Sequence, residues 1–155
     1  MKIYILMALL LVLKGSAVAC SCKGEQAVGD ALRSSDAVFT GLVVGEWNVG
    51  ITPTTGAMPY FQPMVKKYAV IAEQVFKGKL DSDTLFIYTG INRTACGFRF
   101  VVGGRYVIYA GEDCYLANGR DAGDFPRGNG IYWTNHCTRT RSFDEAELKE
   151  LEALK

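Results

Sequence analysis

Histidine and closely spaced cysteine pairs are scarce in this sequence, and their scarcity limits the chemistry that it can carry. The 155 residues include one histidine, His136, and one C-x-C pair, Cys20 and Cys22. A structural zinc site needs four Cys or His ligands, and the chain offers no second close pair. His136 stands beside Cys137 near the end of a predicted strand, where an edge side chain is the simplest interpretation. We therefore predict no enzyme and no intrinsic cofactor or metal site.

The chain also lacks an excess of either charge and, beyond its N-terminus, any long apolar run. Its formal net charge is +1 at pH 7, with 21% charged and 49% hydrophobic residues, which is the composition of an ordinary globular domain. A nucleic-acid-binding domain usually carries a basic patch or stripe, and none is visible here. We predict a single domain without internal repeats that does not bind nucleic acid.

The N-terminus has the pattern of a secretory signal peptide. A charged start at Lys2 precedes an apolar run of about ten residues and an A-x-A ending at Ala19. The run is too short for a stable membrane span, which takes about 20 apolar residues. We expect a signal peptide over 1–19, one domain over 20–155, and secretion to an extracellular or periplasmic space. Lipidation of Cys20 is the alternative, because the sequence "AVAC" is a weak lipobox, and it would anchor the protein to a membrane.

Five cysteines follow the predicted cut, at positions 20, 22, 96, 114 and 137. Exported proteins form disulfides readily, and an odd number leaves at least one cysteine free, intermolecular or modified. In an extended chain, Cys20 and Cys22 share a face about 6.5 to 7 Å apart, which is at or beyond the limit for a disulfide. Each therefore needs a distant partner, but the spacing alone leaves the pairing open.

Five short runs are rich in β-branched and aromatic residues, and turn-forming residues bound each of them. They cover 36–47, 66–78, 83–90, 104–111 and 130–137. No helix separates them, which favours an antiparallel barrel or sandwich, and five strands is the number in a small OB-type barrel. We predict a mainly β fold, a five-stranded antiparallel OB-fold barrel with flanking helices.

Helices are predicted before and after these strands. Residues 24–35 are polar and helix-compatible, and the chain ends in a helix whose start fits an S-x-x-E capping box at Ser142 and Glu145. Two long connections, 48–65 and 112–129, lie between strands, and long loops in compact domains often carry function.

Several segments together resemble a known family. Cys20-Ser21-Cys22 directly follows the predicted cut, and "SDAVFTGLVVG" (35–45), "YAVIAEQVFKG" (68–78) and "FIYTGINRTACGF" (86–98) follow in order. Over roughly 20–141 the chain resembles the N-terminal inhibitory domain of the tissue inhibitors of metalloproteinases, within the netrin-like family. It is similar to a minimal, single-domain member, because the family's third disulfide and disulfide-rich second domain have no counterpart here.

The resemblance implies an OB-fold and one particular pairing of the cysteines. Cys20 would bond to Cys96 and Cys22 to Cys137, which would staple the N-terminal segment across the barrel. Cys114 would stay unpaired. A disulfide-linked dimer through Cys114 is a further option.

The resemblance also implies a secreted inhibitor of zinc metalloproteases. The α-amine and the carbonyl oxygen of Cys20 would chelate the catalytic zinc of the target, and Ser21 would point into the adjacent pocket. A contact ridge is implied around them, consisting of Cys22, Asn92, Arg93, Thr94 and Ala95. The zinc of the target protease would be the only metal involved. The alternative is a disulfide-stabilised netrin-like protein-binding module without protease inhibition.

Asn92-Arg93-Thr94 also matches a glycosylation sequon. Such a site matters only in a eukaryotic secretory pathway, where a glycan would sit on the contact ridge. A three-residue pattern arises easily by chance, and we treat it as incidental.

Overall fold

The computed structural model describes Cys20, Cys22 and residues 24–51, 64–92, 95–117 and 125–155. The predicted signal peptide, Ser21, Arg93, Thr94 and most of the 48–65 connection lie outside the described residues.

The described ranges contain two helices and six strands. Helix α1 is Val28–Ser34 and helix α2 is Glu145–Ala153. The strands are β1 Ala37–Gly50, β2 Met64–Lys77, β3 Thr84–Gly90, β4 Arg105–Ala110, β5 Ile131–Trp133 and β6 Arg141–Ser142. A short 3-10 helix, Tyr115–Ala117, follows β4. The fold is mainly β with a C-terminal helix, as predicted, and no described helix is long and apolar enough to cross a membrane.

All six strands belong to one sheet, in the order β5-β3-β2-β1-β4-β6. Every pairing is antiparallel except that of β3 with β5, which is parallel. An isolated bridge between Gly111 and Trp133 brings the end of β4 to β5, but it is not a continuous ladder. The predicted five-stranded antiparallel barrel is therefore not confirmed, since the described strands form an open, mixed sheet.

These differences arise where the sequence pattern carries no information on strand direction. The alternation of apolar and polar side chains is the same in a parallel and an antiparallel strand. The three residues of β5 therefore could not be assigned a direction from their pattern. The two residues of β6 are too few to produce a pattern at all.

Strands β1 and β2 are 14 residues long each and pair along almost their whole length. The register shifts between Val38/Phe39, Thr40/Gly41 and Val43/Gly45, and such irregularities bend strands. A Cβ atom at Gly41 would lie 2.5 Å from Val70 Cγ1. Glycine is therefore needed at 41 for the close approach of β1 to β2.

Three apolar clusters form the core. Phe39, Tyr68 and Ile108 are fully buried in the largest cluster. In the second cluster, Val28 of α1 and Leu151 of α2 pack against β1 and β4. Both helices therefore cover one side of the sheet.

Helix α2 begins at a different cap from the one predicted. Asp144 is the N-cap residue, and its Oδ1 accepts a hydrogen bond from the backbone N–H of Ala146 at 2.9 Å. Ser142 lies in β6, where pairing with Tyr106 keeps it extended. The predicted capping box at Ser142 and Glu145 is therefore wrong, although the helix itself is confirmed.

Candidate functional site

Two disulfides attach the N-terminal segment to the sheet. Cys20 bonds to Cys96 with a Cα–Cα distance of 5.6 Å, and Cys22 bonds to Cys137 with a Cα–Cα distance of 5.2 Å. These are the two bridges that the family resemblance implied. Both Cα–Cα distances lie in the usual range for disulfides.

The anchor cysteines Cys96 and Cys137 are close together because each follows one of the two parallel strands. Cys96 follows β3 and Cys137 follows β5, and the backbone N–H of Thr134 donates to Tyr88 O at 3.0 Å as the two strands end. Further along, the N–H of His136 donates to Cys96 O at 2.8 Å. This hydrogen bond joins the two disulfides through the backbone.

A tight turn after β3 shapes the backbone that leads to Cys96. The carbonyl oxygen of Asn92 accepts from the N–H of Ala95 at 3.2 Å and of Gly97 at 2.8 Å, and Asn92 Oδ1 also accepts from Ala95 N at 3.1 Å. Cys96 adopts φ = 54°, a left-handed conformation that is uncommon for a residue other than glycine. A Cβ atom at Gly97 would lie 2.0 Å from Gly90 O. The turn therefore returns onto the end of β3 at a distance that only glycine permits.

The Tyr115 side chain holds this turn in place through two hydrogen bonds. Its hydroxyl donates to Ala95 O at 3.0 Å and accepts from Gly90 N at 2.7 Å, so one side chain connects both ends of the turn. Burial raises the pKa of Tyr115, so the hydroxyl stays protonated and able to donate. Tyr115 could not be identified from the sequence, because no local pattern marks it and the 3-10 helix that carries it is distant in sequence from the turn.

The N-terminal segment has a third attachment beyond the disulfides. The Arg139 guanidinium donates to Gln26 O and, at 3.3 Å, to Glu25 Oε1. The same guanidinium donates to Glu147 Oε1 at 2.7 Å and Glu147 Oε2 at 2.8 Å. Glu147 is 3% exposed, so Arg139 connects the segment after Cys22 to a buried carboxylate of α2.

The Glu147 carboxylate stays charged although it is buried. Tyr109 donates to Glu147 Oε1 at 2.6 Å, and Arg141 donates to Oε2 at 3.0 Å. Burial alone would raise the pKa of Glu147, but the hydrogen bonds from Arg139, Tyr109 and Arg141 outweigh it, and the pKa is lowered. This network is a structural support, and no sequence pattern indicates it because its members are far apart in the chain.

The predicted site residues that the structure describes lie close to one another. Cys20 is half-buried, Cys22 and Asn92 are exposed, and Ala95 is half-buried within the turn. The disulfides and the His136–Cys96 hydrogen bond bring them to one end of the β3–β5 pair. Ser21, Arg93 and Thr94 lie outside the described residues.

Cys114 is unpaired and buried. It is 5% exposed and lies in the third apolar cluster with Tyr88 and Trp133. Burial raises the pKa of its thiol to about 11, so the thiolate is scarce at neutral pH. A dimer linked through Cys114 would require this part of the core to open first.

A cleft of about 570 Å³ lies beside the turn. Lys66, Gly90, Asn92, Gly97, Arg99 and His136 are among the residues that line it. The Lys66 ammonium forms an ion pair with Glu46. The cleft therefore shares Asn92 with the contact ridge and carries three basic side chains.

In the described part of the chain, no three His, Cys, Asp or Glu side chains come together as a metal-binding group. Comparison with known proteins found no matching family model and no matching curated protein. The site presents a stapled N-terminal segment, a rigid turn and a basic cleft on one end of the molecule.

Proposed function

We propose that this chain is a secreted inhibitor of zinc metalloproteases that acts through the backbone of Cys20 once the segment 1–19 has been removed. The observation that carries the proposal is the attachment of Cys20. A disulfide joins it to Cys96, whose carbonyl is held by His136 and whose turn is held by Tyr115. Zinc chelation by Cys20 is what the family resemblance of the sequence implies. We include the OB-type barrel in the proposal because the same resemblance implies it.

The chemistry needs the first residue of a chain. A catalytic zinc has three protein ligands and keeps one position open. An α-amine and the carbonyl oxygen of the same residue close a five-membered ring on such a metal, and only an N-terminal residue has both groups. The amine must be neutral to bind, and its reference pKa of about 8 makes the cost of deprotonation at neutral pH small.

Rigidity of the N-terminal segment favours tight binding. Association costs free energy for every group that becomes ordered, and here the disulfides order the segment before the target arrives. The attachment of Arg139 to Gln26 extends the restraint along the chain. In the proposal, Ser21 enters the pocket beside the zinc, and Cys22 and Asn92–Ala95 form the contact ridge that meets the rim of the target.

The test compares two forms of the protein that differ by one residue. One form begins at Cys20 and the other has a single Ala before Cys20, and the mass of each N-terminal peptide verifies its end. Both are titrated against a panel of zinc endopeptidases. We expect the form that begins at Cys20 to inhibit and the extended form to lose at least about a hundredfold in affinity, or ~2.7 kcal/mol, because the amine becomes an amide.

A form with the extra Ala after Lys155 is the matched control and should inhibit like the form that begins at Cys20. Equal inhibition by the N-terminally extended form would show that Cys20 does not bind the zinc. If the form that begins at Cys20 inhibits none of the zinc endopeptidases in the panel, the alternative of a protein-binding module is favoured. A fatty-acyl mass on the Cys20 of protein exported by its host would favour the lipid-anchored alternative.

A further inference from the structure

The cleft beside the turn has the size of a ligand site. Its volume of about 570 Å³ lies within the range of roughly 300 to 1,000 Å³ that small-ligand pockets occupy. Gly90, Asn92 and Gly97 line it. The N–H of Gly97 donates to Asn92 O, and the N–H of Gly90 donates to the Tyr115 hydroxyl. Because that backbone is fixed by hydrogen bonds, the cleft exists before anything binds.

The charges on the cleft are unbalanced. Lys66 is paired with Glu46, but no described carboxylate forms an ion pair with Arg99 or His136. The side chains of both residues are exposed. Among the described residues, the cleft therefore offers a guanidinium without a carboxylate partner and an imidazole, in a protein whose overall charge is close to zero.

A guanidinium presents several N–H donors in a planar fork that matches a carboxylate. The Asn92 amide and the His136 imidazole add further hydrogen-bond donors on the same cleft. The location matters as much as the donors. His136 is hydrogen-bonded through its backbone to Cys96, the partner of Cys20, so the cleft opens next to the proposed zinc-binding end.

We propose that this cleft is a carboxylate-binding subsite, which accepts an Asp or Glu side chain from the rim of the protein that docks on the contact ridge. Arg99 binds the carboxylate, and His136 and Asn92 donate to its remaining lone pairs. The identity of the docking protein as a protease rests on the proposed function, but the binding of a carboxylate in the cleft does not. The subsite would select targets with an acidic group beside their active site.

The first experiment measures carboxylate binding without any protease. The ¹⁵N-labelled secreted protein is titrated at low ionic strength with N-acetyl-glutamate methylamide, and in parallel with the neutral N-acetyl-glutamine methylamide. We expect saturable shifts of the Asn92, Gly97 and His136 amides with the glutamate probe, and at least about fivefold weaker binding of the glutamine probe. The double variant R99Q/H136Q should lose the response, and K149Q, which removes an exposed charge on α2, should keep it.

The result that would overturn the subsite is an equal response to both probes, no response to glutamate, or an undiminished response in R99Q/H136Q. Inorganic phosphate is titrated as a third probe. Binding of phosphate without binding of glutamate would also overturn the assignment, because the site would then select a different anion. Both substituted side chains are exposed, so the variants should fold, and circular dichroism checks this.

The second experiment separates the subsite from the proposed function. If the protein inhibits a protease with an acidic rim, R99Q/H136Q should slow association by about three- to tenfold at low salt and reduce its salt dependence, while K149Q should not. Inhibition that is unchanged in R99Q/H136Q would overturn the subsite and leave the zinc-binding proposal intact. Glutamate binding without any protease inhibition would support the subsite and count against the proposed function.

Discussion

The backbone N–H of His136 lies 2.8 Å from the carbonyl oxygen of Cys96 and donates a hydrogen bond to it. This contact connects the anchors of the two disulfides, which are far apart in sequence. Cys96 bonds to Cys20, and Cys137, the residue after His136, bonds to Cys22. The N-terminal segment is thus held by two covalent bonds whose anchors are themselves joined. The position of the N-terminal segment is therefore set by the residues that follow β3 and β5, to which both of its cysteines are bonded.

The second disulfide should account for a large part of the stability. Replacing Cys22 and Cys137 by Ala removes a bridge with a sequence separation of 115 residues. We expect the free energy of unfolding in urea to fall by about 2 to 5 kcal/mol, because the unfolded chain regains conformational freedom. Cys114→Ala, which leaves both bridges in place, is the reference for the loss of a cysteine side chain. A double variant as stable as the wild type would mean that the bridge does not restrain the unfolded chain.

Tyr115→Phe tests the support under the turn. The substitution removes the hydroxyl that serves both Gly90 N and Ala95 O, so two backbone groups lose their partner. We expect a loss of about 1 to 3 kcal/mol in the free energy of unfolding and faster hydrogen exchange at Gly90. The matched control is Tyr132→Phe, whose hydroxyl makes no hydrogen bond with the described residues and should cost under about 0.5 kcal/mol. An equal, small effect of both substitutions would contradict the role of Tyr115.

The charge of Glu147 should make the protein sensitive to acid. Its pKa in the folded state is lowered from the usual value of 4.5, so its contribution to stability is fully present above that value. The contribution is lost as the pH falls through the lower, folded pKa, because the folded state must then take up the proton against its hydrogen bonds. Urea unfolding at several pH values between 7 and 3 measures how steeply the free energy of unfolding falls with pH.

Glu147→Gln should remove this part of the acid sensitivity. At pH 7 the variant should be less stable by about 3 kcal/mol or more, because Arg139 and Arg141 lose a buried charged partner. The gap to the wild type should begin to narrow as the pH falls below 4.5, where the carboxyl of the unfolded wild-type chain becomes protonated, and should keep narrowing until the pH passes the lower pKa of the folded state. Glu150→Gln, on the exposed side of α2, should leave the pH dependence unchanged. A gap that stays constant down to pH 3 would contradict the lowered pKa.

Cys114 should behave as a core side chain and not as a link between chains. Cys114 is 5% exposed, and its thiol has a pKa of about 11. At pH 8 the side chain is therefore shielded from a thiol reagent, and little of it is in the reactive thiolate form. We expect labelling of the native protein to be at least about a hundredfold slower than labelling in urea. Its rate should follow the rate at which the apolar cluster around Cys114 opens. Rapid native labelling, or a dimer that a reducing agent dissociates, would show that Cys114 is accessible.

Much of the fold could be predicted from the sequence, and what could not has identifiable physical reasons. The runs that became β1 to β5 are visible because alternating burial leaves a local pattern, and α2 is visible because Leu148 and Leu151 share a face. The parallel pairing of β5 depends on which strand edge is free, and the cap at Asp144 depends on the pairing of β6 with β4. Both are settled by tertiary contacts rather than by neighbours in sequence.

The candidate site, like the fold, has features that the sequence could predict and features that depend on tertiary contacts. The partners of Cys20 and Cys22 could be named only through a family resemblance, because the spacing argues against a bond between the two but does not choose their partners. Tyr115 left no signal, since a tyrosine hydroxyl that serves two backbone groups looks like any core tyrosine. The segment "ACGF" held a clue in Gly97, but the atom that makes glycine necessary is Gly90 O, seven residues earlier in the chain.

Gly97→Ala should therefore be more damaging than its position in a turn suggests. The new Cβ would lie 2.0 Å from Gly90 O, so the turn must move away from β3 and carry Cys96 with it. We expect a loss of about 2 to 3 kcal/mol or more in the free energy of unfolding and, under the proposed function, weaker protease inhibition. The matched control is Gly29→Ala in α1, where the Cβ meets its nearest atom at 3.6 Å and should stabilise the helix by about 0.5 to 1 kcal/mol. If Gly97→Ala were as harmless as Gly29→Ala, the close approach of the turn to β3 would not restrain the position of Cys96, and the rigidity of Cys20 would have to come from the disulfides alone.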